Sequence, residues 1–433
     1  MSAFLAYLVL PLIGIGILRL DAVRKLDLGG RIAVAGAAGT AIVAAVLAAL
    51  SIVSVEWSRS VVISIVCVIS ATTALGDSDP LIRLRHLLPR PRERRALEVS
   101  AAPSSVNPLA IATLIIIAVL LIYGLLDARL SCGDLHFFWG PKAVRFYRDG
   151  GVALGFLADP NTVRMNPGYP LLLPLIYAWS QTIAGHFSWF SAVLSTALFV
   201  FGSVALLRST SGDDRSAVLM AATLAYAFAI ADAAGAGEPP LIFFETLAIV
   251  AITFIRDHRA QTILAALGLA GAVMTKIEGA TFAIAVVIAI VIVRRTIKRT
   301  LLISAPAALL LGAWLAFVRM HNLSEYYRGA AMPIYFAAVR TTLATLMKAA
   351  SYELYGLPWI VPIVLIVIAP NRRNAALPLL IAFLTFIAAF FFYIHLPDPT
   401  WWILSSAPRV LLTPLTALLI ASAAAWRSAD DLS

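Results

Sequence analysis

Five short segments are rich in glycine or proline, and four of them place a charged side chain beside one. They are Gly133-Asp134-Leu135-His136-Phe137-Phe138-Trp139-Gly140-Pro141-Lys142, Asn166-Pro167-Gly168-Tyr169-Pro170-Leu171-Leu172-Leu173-Pro174, Gly235-Ala236-Gly237-Glu238-Pro239-Pro240-Leu241, Thr275-Lys276-Ile277-Glu278-Gly279 and Ser406-Ala407-Pro408-Arg409. A carboxylate such as Asp134 or Glu238 can take the proton of an attacking hydroxyl. Two carboxylates brought close repel, so they share a proton, bracket a divalent cation or are separated by a basic group. Lysine and arginine suit anionic oxygens, and arginine can grip a phosphate through two hydrogen bonds. The sequence has no Walker loop, no dinucleotide fingerprint, no His-Glu-x-x-His helix and no Gly-x-Ser-x-Gly elbow.

The elements that must position these residues are apolar. Of the 433 residues, 61% are hydrophobic and only 13% charged, and the mean hydropathy is +0.91. A soluble protein of this length needs more charge to cover its surface. The pattern predicts an all-α, polytopic integral membrane protein. Membrane helices are expected at 2–18, 32–54, 60–76, 108–126, 189–207, 216–234, 241–255, 260–275, 279–293, 300–318, 355–369, 375–394 and 408–426, about 13 in all, each near the ~20 residues a bilayer needs. The first is read as a retained helix rather than a signal peptide, since no basic residue precedes it and no small-residue cleavage site follows. Cys67 and Cys132 suggest neither a disulfide framework nor a zinc site.

The net charge of +10 does not point to nucleic acid, because the basic residues stand in short clusters between apolar runs. Placing Arg19, Arg24, Lys25 and Arg31 inside also puts inside the run Arg83 to Arg95, Arg208/Arg215, Arg256/Arg259, the group Arg294 to Arg299, and Arg372/Arg373. The N-terminus is then outside and the C-terminus inside. The exception is an outside loop from about Asp127 to Asn166, which carries Arg129, Lys142, Arg145, Arg148 and Arg164. Basic residues on a translocated loop oppose insertion and ask for a reason. The apolar stretch Tyr169 to Ala184 that follows is short and rich in proline and aromatics, and reads as an interfacial or re-entrant helix. A second outside loop is expected at about Arg319 to Lys348, and no internal repeat is evident.

Together these segments resemble the GT-C superfamily of membrane glycosyltransferases, in its family 39-like bacterial branch related to protein mannosyltransferases and lipid A aminoarabinose transferases. Asp134 to Ala143 resembles that family's Asp…Trp-Gly-x-Lys-Ala setting, and Tyr169 to Pro174 its Tyr-Pro-Leu-Leu-Leu-Pro segment. Glu238 stands where a second outside acid precedes a proline, and the Thr-Lys-x-Glu-Gly turn and the late Arg409 also correspond. The resemblance covers residues 108–426. It divides the chain into N-terminal helices with a basic cytoplasmic loop (1–107), the transferase-like region with its outside loop at 127–188, and a short tail (427–433). It implies a polyprenyl-phosphate-linked sugar as donor, a glycan, lipid or protein as acceptor, surrounding membrane lipids and no nucleic acid. The location implied is the inner membrane, with the active site facing outside or the periplasm.

Carried over to this sequence, the resemblance makes Asp134 the base of a single inverting displacement and Glu238 the second acid. Arg409, Lys276, Lys142 and Arg164 are candidates for the donor phosphate, with Arg409 favoured, and His136, Trp139, Tyr169 and Glu278 for substrate contact. A divalent cation, magnesium or manganese, would sit on Asp134, Glu238 and His136.

Simpler roles exist for each. An acid in a loop is often only solvated, Glu238 suits a helix start, His136 suits interfacial packing, Lys276 and Glu278 suit a structural ion pair, and Arg409 could snorkel to headgroups. Trp57, Trp189, Trp401 and Trp402 suit an aromatic belt. Glu245 falls inside a helix with no assigned role. Asp77-Ser78-Asp79 has a metal-motif spacing but lacks an α/β domain around it, and Asn322-Leu323-Ser324 is a sequon by pattern only. A transporter or flippase for lipid-linked or other small molecules is the competing class. It predicts midplane ionisable residues and an internal repeat.

Overall fold

A computed structural model describes residues 2–75, 108–231, 233–323, 339–352, 356–395 and 399–427. These residues form helices and no strands. The basic run Arg83 to Arg95, the Asp77-Ser78-Asp79 motif, most of the loop expected at 319–348, Ser324 of the sequon and nearly all of the tail lie outside the described residues.

Six helical stretches are long and apolar enough to cross a membrane: Leu28–Ile52, Ile111–Leu130, Trp189–Ser211, Ile297–Met320, Arg372–Ile394 and Pro399–Trp426. The helices in order are α1 (Ser2–Leu8), α2 (Leu10–Ile13), α3 (Asp21–Arg24), α4 (Leu28–Ile52), α5 (Arg59–Leu75), α6 (Pro108–Ser131), α7 (Gly140–Asp149), α8 (Leu154–Leu157), α9 (Leu172–Ala184), α10 (Trp189–Ser211), α11 (Asp214–Ile230), α12 (Glu238–Phe254), α13 (His258–Thr275), α14 (Glu278–Arg294), α15 (Ile297–Met320), α16 (Val339–Tyr352), α17 (Leu357–Ile368), α18 (Ala376–Ile394), α19 (Pro399–Val410) and α20 (Leu412–Trp426). The expected apolar runs are helical over most of their described residues, but several of the helices are shorter than a full crossing. α12 and α14 have 17 residues each, about 25 Å of rise against the ~30 Å of a hydrocarbon core. Both begin at the acids singled out above.

Two expected helices are broken. The run 2–18 divides into α1, α2 and a 3-10 turn at Ile15–Arg19. The break lets this segment press against α4, where a Cβ on Gly14 would stand 1.9 Å from the Ala35 carbonyl oxygen and one on Gly39 1.9 Å from that of Leu10. The Ala6 carbonyl beside the break accepts from Trp179 Nε1 at 2.9 Å. The last run divides at Leu411, so Arg409 lies in the final turn of α19 rather than at the start of a single closing helix.

The segment read as an interfacial or re-entrant helix is packed inside the bundle. Every residue of α9 from Leu172 to Thr182 is buried, and α9 packs on α1, α4, α7 and α13. A single core cluster draws on residues from Ala6 to Ala425 and so joins the N-terminal helices to the rest.

The bundle has two chemically different ends. Arg294 donates to the Ile252 carbonyl, and Arg427 to that of Phe254 at 3.4 Å. Arg215 stacks on Trp426, 4.3 Å from its ring centre, and Arg208 pairs with Asp214 at 2.7 Å. These contacts surround the C-terminal end of α12. The N-terminal end of α12 carries Glu238, a helix length away.

Candidate active site

At that other end, five charged side chains from four of these segments form an alternating ladder. Arg409 Nη1 meets Asp134 Oδ2 at 2.9 Å, and Arg409 Nε lies 3.8 Å from Glu238 Oε1. Lys276 Nζ meets the same Glu238 oxygen at 2.8 Å and Glu278 Oε1 at 3.1 Å. Arg409 therefore stands between the two carboxylates first expected to act together. Basic separation is the arrangement found.

Local backbone explains why each side chain arrives. α6 ends at Ser131, and a π-turn follows over Leu135–Trp139. Such turns change the angular spacing of side chains and recur at functional sites. Here Asp134, Phe138 and Trp139 all line one cavity. Glu238 opens α12 with Pro239 and Pro240 behind it, where a helix start leaves N–H groups without partners in any case. Gly237 beside it leaves room: a Cβ there would stand 2.8 Å from Lys276 Cδ and 3.2 Å from Trp139. Lys276 caps α13 in extended conformation. Gly279 lets the α13–α14 hairpin close, since a Cβ would fall 2.1 Å from the Ala272 carbonyl oxygen.

The cavity is lined by Asp134, Trp139, Lys142, Tyr169, Glu238, Lys276, Glu278 and Arg409, together with Phe138, Met165, Asn166, Phe392, Trp402, Ser406 and Val410. Counted out to open solvent it holds about 630 Å³. Trp139 and Tyr169 meet edge to face, their ring centres 5.8 Å apart. Lys142 is fully buried, donates to the Asn166 carbonyl at 2.7 Å and lies 5.3 Å from the Trp139 ring centre. Burial pushes Asp134 above its ordinary value, with Arg409 opposing. Burial alone brings the Lys142 ammonium down to about 7. Cys132, directly before the site, is pushed up to about 12, mainly by burial, so it is a poor nucleophile.

Two expected site residues are elsewhere. Arg164 is exposed and does not line the cavity, although its neighbours Met165 and Asn166 do. His136 is turned away by the π-turn: Nε2 hydrogen-bonds the Arg129 carbonyl at 3.0 Å, and the ring packs on Trp189 at 4.9 Å. The expected metal set of Asp134, Glu238 and His136 does not assemble. Among the described residues no group of three or more His, Cys, Asp or Glu could hold a metal ion.

The aromatic-belt reading also needs correcting. Trp57 is buried, with Nε1 donating to the Leu47 carbonyl at 3.0 Å, and Trp402 lines the cavity. Sequence reasoning missed Ser406 and Asn166 as wall residues. Asn166 contributes through its backbone oxygen, and its one sequence signal is an Asn before Pro167, a residue type tolerant of the positive φ of 48° it adopts. Comparison of the chain with protein-family models, with curated proteins and with solved structures finds no match.

Proposed function

We propose that this chain is an inverting glycosyltransferase of the inner membrane, moving a sugar from a polyprenyl-phosphate donor to a hydroxyl of a glycan, lipid or protein acceptor at the extracytoplasmic face. The observation that supports it is the ladder itself: Asp134, Arg409, Glu238, Lys276 and Glu278 meet in one open cavity, at the end of the bundle away from the basic clusters. In this reading the acceptor hydroxyl attacks the anomeric carbon opposite the phosphate. Asp134 takes the hydroxyl proton, the C–O bond to phosphate breaks, and the anomeric centre inverts. Arg409 holds Asp134 ionised and oriented, and the cations of the cavity stabilise charge on the leaving phosphate.

The test is incubation of purified protein with a panel of polyprenyl-phosphate sugars, reading release of polyprenyl phosphate with and without chelator. Release from at least one donor is expected, and the chelator should not reduce it, because Arg409 and Lys276 already occupy the space between the carboxylates. No release from any donor would end the proposal.

One observation favours the competing transporter or flippase. Glu245 is completely buried midway along α12; Oε1 accepts from Thr413 at 3.0 Å, and Oε2 has no hydrogen-bond partner. Glu245→Gln should leave sugar transfer within a fewfold of the parent if the protein is a transferase. Movement of a labelled lipid-linked sugar across proteoliposomes, without covalent transfer and abolished by Glu245→Gln, would reverse the ranking.

A further inference from the structure

The cavity wall differs from side to side in what it offers a ligand. On the ladder side the cations are satisfied: Arg409 meets two carboxylates and Lys276 two. What remains open there are acceptors, since Glu238 Oε2 and Glu278 Oε2 are buried without a hydrogen-bond donor. On the other side the open groups are donors. Trp139 Nε1–H is buried with no acceptor, on a residue only 2% exposed. Lys142, beside it, has a single hydrogen bond, to the Asn166 carbonyl, and among the described residues no carboxylate forms an ion pair with it. An indole N–H and an ammonium can only donate. Buried polar groups are normally matched, so donors left open on a cavity wall point to what fills the cavity.

We propose that the anionic oxygens of the polyprenyl-phosphate substrate are received at the Lys142–Trp139 wall, while Glu238 Oε2 and Glu278 Oε2 accept from hydroxyls of the sugar. Arg409 then serves to keep Asp134 and Glu238 apart, and is not the phosphate ligand that the sequence favours. This rests on the polyprenyl-phosphate reading above and gives it a polarity: phosphate toward the loop helix α7, sugar toward the starts of α12 and α14. A phosphate on Arg409 instead would compete with the 2.9 Å contact to Asp134 and release that acid at the moment it must act.

The full-length protein in lipid nanodiscs can be tested with two radiolabelled probes of equal chain length, polyprenyl monophosphate and the uncharged polyprenol. The parent protein should bind the phosphate at least about tenfold more tightly, the size of one charge-assisted hydrogen bond. Lys142→Met and Trp139→Phe should each lower phosphate affinity by a factor on the order of 10 and leave polyprenol affinity unchanged. Trp139→Phe removes the N–H together with part of the ring, so unchanged polyprenol affinity is the control that the wall survives; with that control it decides the matter if Lys142→Met does not fold. A parent that prefers the phosphate, with both folded variants keeping that preference, overturns this assignment and spares the donor reading. A parent with no preference overturns both.

Discussion

In the proposed reaction Asp134 is the residue on which the chemistry turns. Asp134→Asn keeps the side chain's size but removes its charge and its ability to take a proton. Transfer should fall by about 10²–10⁴-fold, the usual worth of a positioned base, with helical content unchanged by circular dichroism. The pH profile of kcat/KM should be bell-shaped. Its acid limb should lie above the ordinary Asp value of 3.8, because burial raises Asp134 and activity is lost as falling pH protonates it. Its alkaline limb should lie near 7, where Lys142 gives up its proton. Lys142→Arg should carry that limb to higher pH, since a guanidinium stays charged; an alkaline limb unmoved by this change would exclude Lys142 as its origin.

Much of this was legible in the sequence, because a charge beside glycine or proline in an apolar chain is costly to keep without use. The outside placement of their segments, and the family resemblance those segments carry, single out Asp134, Glu238, Lys276, Glu278 and Arg409. His136 and Arg164 were misassigned because the direction of a loop side chain depends on a π-turn and a 3-10 turn that spacing does not reveal. Asn166 was missed as a wall residue because a carbonyl oxygen carries no sequence signature.

At the scale of elements, the site depends on close backbone approach. Gly279→Ala would drive a methyl group into the Ala272 carbonyl and should open the α13–α14 hairpin that presents Lys276 and Glu278. An overpacking cost of roughly 1–3 kcal/mol is expected, read as a lower unfolding temperature in detergent. Gly155→Ala, where a Cβ meets nothing within 4 Å, should be neutral. Equal behaviour of the two variants would remove the steric argument. Helix positions were readable from hydropathy runs, but breaks were not. The α1–α2 and α19–α20 interruptions fall within a turn before Pro11 and Pro414, which lack the N–H of a continuous helix, and contacts such as Gly14 on Ala35 and Thr413 on Glu245 accompany them. α9 reads in the sequence as a short apolar stretch, and its burial inside the bundle is set by the neighbours around it and not by its own composition.

The whole molecule is polarised. Arginines crowd one end of α12 and the acid-rich ladder the other, in the arrangement that the charge clusters predict for a chain with its basic side in the cytoplasm. In a background with Cys67→Ser and Cys132→Ala, Arg148→Cys should react with an impermeant maleimide in intact cells. Arg208→Cys should react only after permeabilisation. Both side chains are exposed, so labelling of both from one side would contradict the two-ended arrangement.

The ladder also has a history in time. Asp134 and Arg409 are separated by 275 positions, so a ribosome adding roughly 5–20 residues per second exposes the acid tens of seconds before its counter-charge exists. Through that interval the nascent N-terminal helices hold a carboxylate without its guanidinium. The growing chain therefore has reason to keep this loop in water, and the site becomes complete only when Arg409 emerges.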